Sequence, residues 1–148
     1  MQNDGAAIIL LVEDNPADAR LLVEALRERQ SPCTVARVAN GLEALAYLHG
    51  HEPYASAPRP DLLLLDLNLP RLSGRELLAR IKRDPALGQI PVIVLSSSQD
   101  ADEIDACYAL HANAYVSKPV EFEAFSAVVQ AIERFWLGAA TLPARGQA

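Results

Sequence analysis

The sequence predicts an α/β fold: a five-stranded parallel sheet with helices on both faces. Three observations carry this. Short apolar runs and helical patterns alternate five times along 148 residues, the pattern of parallel strands joined by helical crossovers. The strongest apolar runs are continuous rather than alternating, as in strands buried on both faces. Three of them end abruptly in polar groups, at the sheet edge where open α/β folds bind ligands.

Ile8–Val12 is the first strand and stops at Glu13-Asp14-Asn15-Pro16. Asp14 or Asn15 suits a helix cap, with Pro16 favoured at the first helical position. A cap does not account for two adjacent acids at a strand end. The first helix spans Pro16–Gln30, with Leu22, Ala25, Leu26 and Arg29 at helical spacing. Thr34–Val38 alternates weakly and reads as a second strand with one half-exposed face. Asn40-Gly41 opens a second helix lined by Leu42, Leu45 and Leu48. Residues 49–59, bordered by Pro60, hold further prolines and a glycine and form a loop. Its His49 and His51 make an H-x-H pair without a third ligand, read as solvated.

Pro60 and Pro70 bracket the third strand, where four leucines deliver one carboxylate, Asp66. Ser73 and Glu76 then have capping-box spacing, and the third helix runs to Arg83 with Leu77, Leu78 and Ile81 inward. Pro91–Leu95 is the fourth strand and ends in Ser96-Ser97-Ser98. Asp100–Leu110 is the fourth helix. Ala114–Ser117 is a short fifth strand running into Lys118-Pro119. The last helix spans Glu121–Leu137, with Phe122, Phe125, Val128, Val129, Ile132 and Phe135 at helical spacing. Residues 7–137 are expected to form one domain, with 1–6 and 138–148 as flexible ends.

Bulk properties exclude several function classes. Net charge is −6 and no basic run exceeds two residues, which argues against a nucleic-acid partner. No apolar stretch reaches membrane-span length, and the N-terminus lacks a signal-peptide start. Cys33 and Cys107 make neither a disulfide framework nor a metal motif, so a cytoplasmic protein with reduced thiols is expected.

Five strands in one small domain fit the flavodoxin-like order 2-1-3-4-5, whose switch point lies between strands 1 and 3. That order brings Glu13, Asp14 and Asp66 together. Three carboxylates in one crevice require a cation, and carboxylate oxygens suit a hard ion such as Mg²⁺. Strand 4 adds hydroxyls at Ser96 and Ser97, and strand 5 adds the Lys118 ammonium. This is equipment for phosphoryl transfer, with Asp66 as the nucleophile.

Glu13-Asp14 after strand 1, Asp66 ending strand 3, Ser96 ending strand 4 and Lys118-Pro119 ending strand 5 resemble the receiver domain of two-component response regulators, the CheY-like version of this fold. The spacings agree as well, 30 residues from Asp66 to Ser96 and 52 from Asp66 to Lys118. The resemblance covers roughly residues 7–136. The long loop before strand 3, the Leu67–Pro70 segment and the aromatic end of the last helix are most similar to single-domain regulators paired with phytochrome-type kinases.

The resemblance implies a set of roles. Asp66 accepts a phosphoryl group from a histidine kinase. Glu13, Asp14, Asp66 and the backbone carbonyl of Asn68 hold Mg²⁺. Lys118 pairs with Asp66 at rest and with the phosphoryl group afterwards. Ser96 is the switch hydroxyl and Tyr115 the switch aromatic, although ordinary strand packing explains Tyr115 equally well. Pro119 follows a cis peptide bond. Glu13 stands where Asp is frequent, and Ser96 where Thr is frequent.

With about a dozen residues after the receiver, output is expected through surface changes, with Phe135, Trp136 and Leu137 offering a partner or homodimer surface. Such a protein is not an enzyme acting on a separate substrate. A haloacid-dehalogenase-type phosphatase would need an acid where Asn68 stands. An FMN carrier would meet Glu13-Asp14 at its phosphate. The remaining alternative is a degenerate receiver acting as a constitutive interaction module, which normally lacks the acceptor acid or the lysine.

Overall fold

The computed structural model describes residues 6–27 and 33–144. Five strands alternate with five helices: β1 Ala7–Val12, α1 Pro16–Arg27, β2 Cys33–Val38, α2 Gly41–His49, β3 Leu62–Asp66, α3 Gly74–Arg83, β4 Val92–Ser96, α4 Ala101–Ala109, β5 Ala114–Ser117 and α5 Phe122–Arg134. The sheet is parallel throughout, in the order β2-β1-β3-β4-β5. The expected end of α1, at Gln30, lies outside the described residues.

Strand alternation sorts the core into two layers. Leu63, Leu65, Val92 and Val94 face α2 and α3, whose Ala44, Tyr47, Leu77, Leu78 and Ile81 complete that layer together with Cys107 of α4. Leu62, Leu64, Ile93 and Leu95 face α1 and α5, where Leu22, Leu26, Phe125, Val129 and Ile132 pack. Both layers are apolar, which is why β3 and β4 carry no polar residue before their last position.

Local chemistry sets the helix starts. The Asn15 side chain accepts from the backbone N–H groups of Ala17 and Asp18 at 2.9 and 3.1 Å, so Asn15 is the cap and Asp14 is left for the crevice. Asn40 caps α2 through Glu43 N–H. Ser73 Oγ accepts from Glu76 N–H at 3.2 Å, one half of the capping box, while the Glu76 carboxylate pairs forward with Arg80 at 3.0 Å.

Four expectations are corrected. Leu42 does not line the inner face of α2; it is exposed, and Ala44 and Tyr47 are buried instead. Phe122 is 59% exposed, because it opens α5 ahead of the turn that reaches the sheet at Phe125. The α-helix ends at Arg134, and Phe135–Ala139 continues as a π-helical turn. That wider turn leaves Phe135 54% exposed while Trp136 and Leu137 pack on the α1/α5 layer. Finally, the cis X-Pro bond among the described residues is Glu52–Pro53, not Lys118–Pro119. A trans bond is the lower-energy isomer, and Lys118 reaches the crevice acids with it.

Candidate phosphoacceptor site

The same alternation aims the polar strand ends. Continued past the apolar runs, it puts Glu13, Asp66 and Lys118 in phase with Leu11, Leu64 and Val116, on the α1 side. It puts Ser96 and Tyr115 in phase with Val94 and on the α4 side. The site therefore has two halves, one of charge and one of hydroxyls.

The charged half is a crevice of about 280 Å³ lined by Glu13, Asp14, Asn15, Asp18, Asp66, Asn68, Ser97 and Lys118. Asp66 is buried, with 8% exposure, and Glu13 almost completely so, at 1%. Asp14 is exposed. Lys118 Nζ lies 3.0 Å from Glu13 Oε1, 3.2 Å from Asp18 Oδ2 and 3.6 Å from Asp66 Oδ2. The ammonium is thus shared among three acids, and Asp66 is the most distant. Nothing in the sequence marks Asp18 as a site residue. As an acid in the first turn of α1 it reads as a favourable helix-dipole charge, and only the strand-to-helix geometry turns it into the crevice.

The backbone holds this arrangement. Arg37, from β2, donates from Nε and Nη2 to the Glu13 carbonyl at 3.0 and 2.8 Å. Asn68 N–H donates to Asp66 Oδ1 at 3.1 Å, fixing the carboxylate against the β3–α3 loop. That loop is pressed down by Gly74. A Cβ there would lie 2.5 Å from Leu67 Cα and 2.9 Å from the Asp66 carbonyl, so only glycine lets α3 start so close to the strand end.

Burial pushes the Glu13 carboxyl up to about 7, helped by its hydrogen bond and charge contact with Asp66 and opposed by Lys118. Burial also works against the Lys118 charge, but the Glu13 hydrogen bond and the charges of Asp66 and Glu13 outweigh it and hold the ammonium above its ordinary value. Oxygens of Glu13, Asp14 and Asp66 lie within 4.8 Å of one another. An all-oxygen donor set that includes a buried carboxyl fits a hard divalent cation, and binding one would offset the burial and the Asp66 contact that raise Glu13.

The hydroxyl half lies across β4. Ser96 is buried, and its Oγ donates to Glu103 Oε2 at 3.0 Å while accepting from Ser98 N–H at 3.1 Å. Ser97, rather than Ser96, lines the crevice. The Tyr115 phenol is within 2.7 Å of Glu103 Oε2 and 2.8 Å of the Ser98 carbonyl. Burial raises its pKa, and the Glu103 carboxylate adds to that. His49, by contrast, pairs with Asp84 at 3.1 Å and is not among the residues lining the crevice.

A family model, the response regulator receiver domain, matches residues 9–130. The chain belongs to the response regulator receiver family. Among curated relatives, the response regulator Rcp1 of Synechocystis sp. is 46% identical over 137 residues, covering 93% of each chain. Among solved structures, the phosphorylated cyanobacterial phytochrome response regulator RcpA is 51% identical with a TM-score of 0.91, over 94% of this chain and 99% of its own. Mn²⁺-bound Rcp1 superposes with a TM-score of 0.90 at 46% identity, over 93% and 99%. The receiver is thus closely related to phytochrome-associated regulators, and phosphorylation-dependent signalling follows from that relation. Rcp1 was solved with Mn²⁺ bound, and the cluster of Glu13, Asp14 and Asp66 is consistent with divalent-cation binding here. A degenerate, constitutive module is not favoured, since Asp66 and Lys118 are both present and 3.6 Å apart.

Proposed function

We propose that this receiver accepts a phosphoryl group on Asp66 from a phosphohistidine of a phytochrome-type sensor histidine kinase. The observation that carries this reading is the Asp66 carboxylate, buried at the end of β3 with Lys118 Nζ at 3.6 Å and two further acids within metal-sharing distance. An Asp66 oxygen attacks the phosphorus, the P–N bond to the kinase imidazole breaks, and the imidazole leaves after taking up a proton. Glu13, Asp14, Asp66 and the Asn68 carbonyl would hold Mg²⁺, which neutralises phosphoryl oxygens when bound. Lys118 supplies the second positive charge, moving its weight from Glu13 and Asp18 toward the new phosphoryl oxygens. Ser96 then donates to a phosphoryl oxygen, and Tyr115 responds.

The protein promotes only its own phosphorylation and dephosphorylation. Asn68 stands two residues after Asp66, so no carboxylic acid there serves a hydrolytic turnover. Output runs through surfaces, with exposed Phe135, set edge-on to Trp136 at 5.2 Å, supporting a homodimer contact. No described helix is long and apolar enough to cross a membrane, and Cys33 and Cys107 are unpaired, in keeping with a cytoplasmic setting. The receiver domain in this proposal spans residues 7–137.

Phosphotransfer tests it. A radiolabelled, autophosphorylated phytochrome-type kinase should pass label to the wild-type chain within minutes and not to Asp66→Asn. Retention of label on the kinase, where a related receiver drains it, contradicts the pairing.

A further inference from the structure

Ser96 and Tyr115 reach one and the same atom. Alternation along β4 and β5 sends both side chains to the α4 side of the sheet. There they meet Glu103, an acid in the first turn of α4, a position that the helix dipole favours. Ser96 Oγ donates to Glu103 Oε2 at 3.0 Å, and the Tyr115 phenol approaches that oxygen at 2.7 Å. A second tie joins the same two elements: the Tyr108 hydroxyl, later in α4, accepts from the backbone N–H of Tyr115 at 3.0 Å.

We propose that Glu103 is a positioning residue whose Oε2 holds the Ser96 and Tyr115 hydroxyls in the resting arrangement and competes with the phosphoryl group on Asp66 for the Ser96 proton. The inference rests on the phosphoacceptor reading and adds to it a resting-state latch on α4. The argument is one of proton count. Ser96 has a single hydroxyl proton, and at rest it points at Glu103, since the other partner of Oγ, Ser98 N–H, is itself a donor. A phosphoryl oxygen on Asp66 can take that proton only if Glu103 gives it up. Both competing acceptors are anionic and both bonds are charge-assisted, so the Glu103 bond given up offsets part of what Ser96 gains on activation. When Ser96 leaves, Oε2 loses one of two donors, and the Tyr115 phenol is the donor that remains, with the Ser98 carbonyl as its alternative acceptor. The two hydroxyls are therefore coupled through an atom that belongs to neither strand, and α4 senses the exchange because Glu103 is part of it. Glu103 is half-buried, so water moderates the effect to several-fold.

The test uses beryllofluoride with Mg²⁺ as a stable phosphoryl mimic, with affinity read by fluorine NMR titration of the full chain. Glu103→Ala should bind beryllofluoride about three- to tenfold more tightly than wild type, and Glu103→Gln, a neutral acceptor of the same shape, should fall between them. On a Ser96→Ala background, where no hydroxyl proton is contested, Glu103→Ala should change affinity by less than about twofold, as a double-mutant cycle requires. A purely structural role for Glu103 would loosen the site and weaken binding. Unchanged or weaker binding in Glu103→Ala overturns the inference, as does an undiminished gain without Ser96, while wild-type binding leaves the phosphoacceptor reading standing. A wild type that binds no beryllofluoride overturns both.

Discussion

Lys118 Nζ lies closer to Glu13 Oε1, at 3.0 Å, than to Asp66 Oδ2, at 3.6 Å. The lysine at rest therefore serves mainly to neutralise a buried glutamate, with Asp66, the proposed phosphoacceptor, at the edge of its reach. Replacing it strands Glu13. Lys118→Ala should lower stability by about 1–3 kcal/mol near pH 8 in urea denaturation, less than a fully buried broken pair because Glu13 can protonate instead. The loss should shrink below about pH 6.

The raised Glu13 pKa, from 4.5 to about 7, gives a pH dependence of definite sign. The folded chain keeps a proton that the unfolded chain has released, so between those values the native state binds more protons. Stability without metal should fall as pH rises through that window, by up to roughly 3 kcal/mol, and level off above it. Urea denaturation in EDTA from about pH 5 to pH 8 measures this. Added Mg²⁺ should stabilise most at the alkaline end, where Glu13 is ionised.

Asp14 is the exposed member of the acidic cluster. Asp14→Asn should weaken Mg²⁺ or Mn²⁺ binding by about tenfold or more while moving the metal-free melting temperature little. A thermal-shift titration with either ion separates the two effects.

Gly74→Ala places a methyl 2.5 Å from Leu67 Cα and 2.9 Å from the Asp66 carbonyl, and neither backbone atom can turn away. Helix α3 must lift off the strand end. The substitution should cost about 1–3 kcal/mol and slow phosphorylation by a small phosphodonor, although residue 74 touches no reactant.

Much of this was legible because strands buried on both faces must be apolar throughout. Continuous apolar runs gave the central strands, and their abrupt polar ends gave Glu13, Asp14, Asp66 and Ser96. What the sequence withheld lies on the helices. Asp18 and Glu103 each sit in a first turn, where an acid is expected for helix reasons alone, so nothing local marks them as facing a site. Which of several acids Lys118 prefers depends on fractions of an ångström that spacing cannot give. The π-helical turn at Phe135–Ala139 likewise breaks the helical period, so that of the three residues expected at a partner surface Phe135 faces out while Trp136 and Leu137 pack on the α1/α5 layer.

The most direct test of the central claim is intact mass after incubation with acetyl phosphate and Mg²⁺, wild type beside Asp66→Asn. The account predicts one phosphoryl adduct on wild type that needs Mg²⁺, survives acid, is lost in base and is absent from the variant. No adduct on wild type where a control receiver is labelled, or an equal adduct on Asp66→Asn, would contradict it.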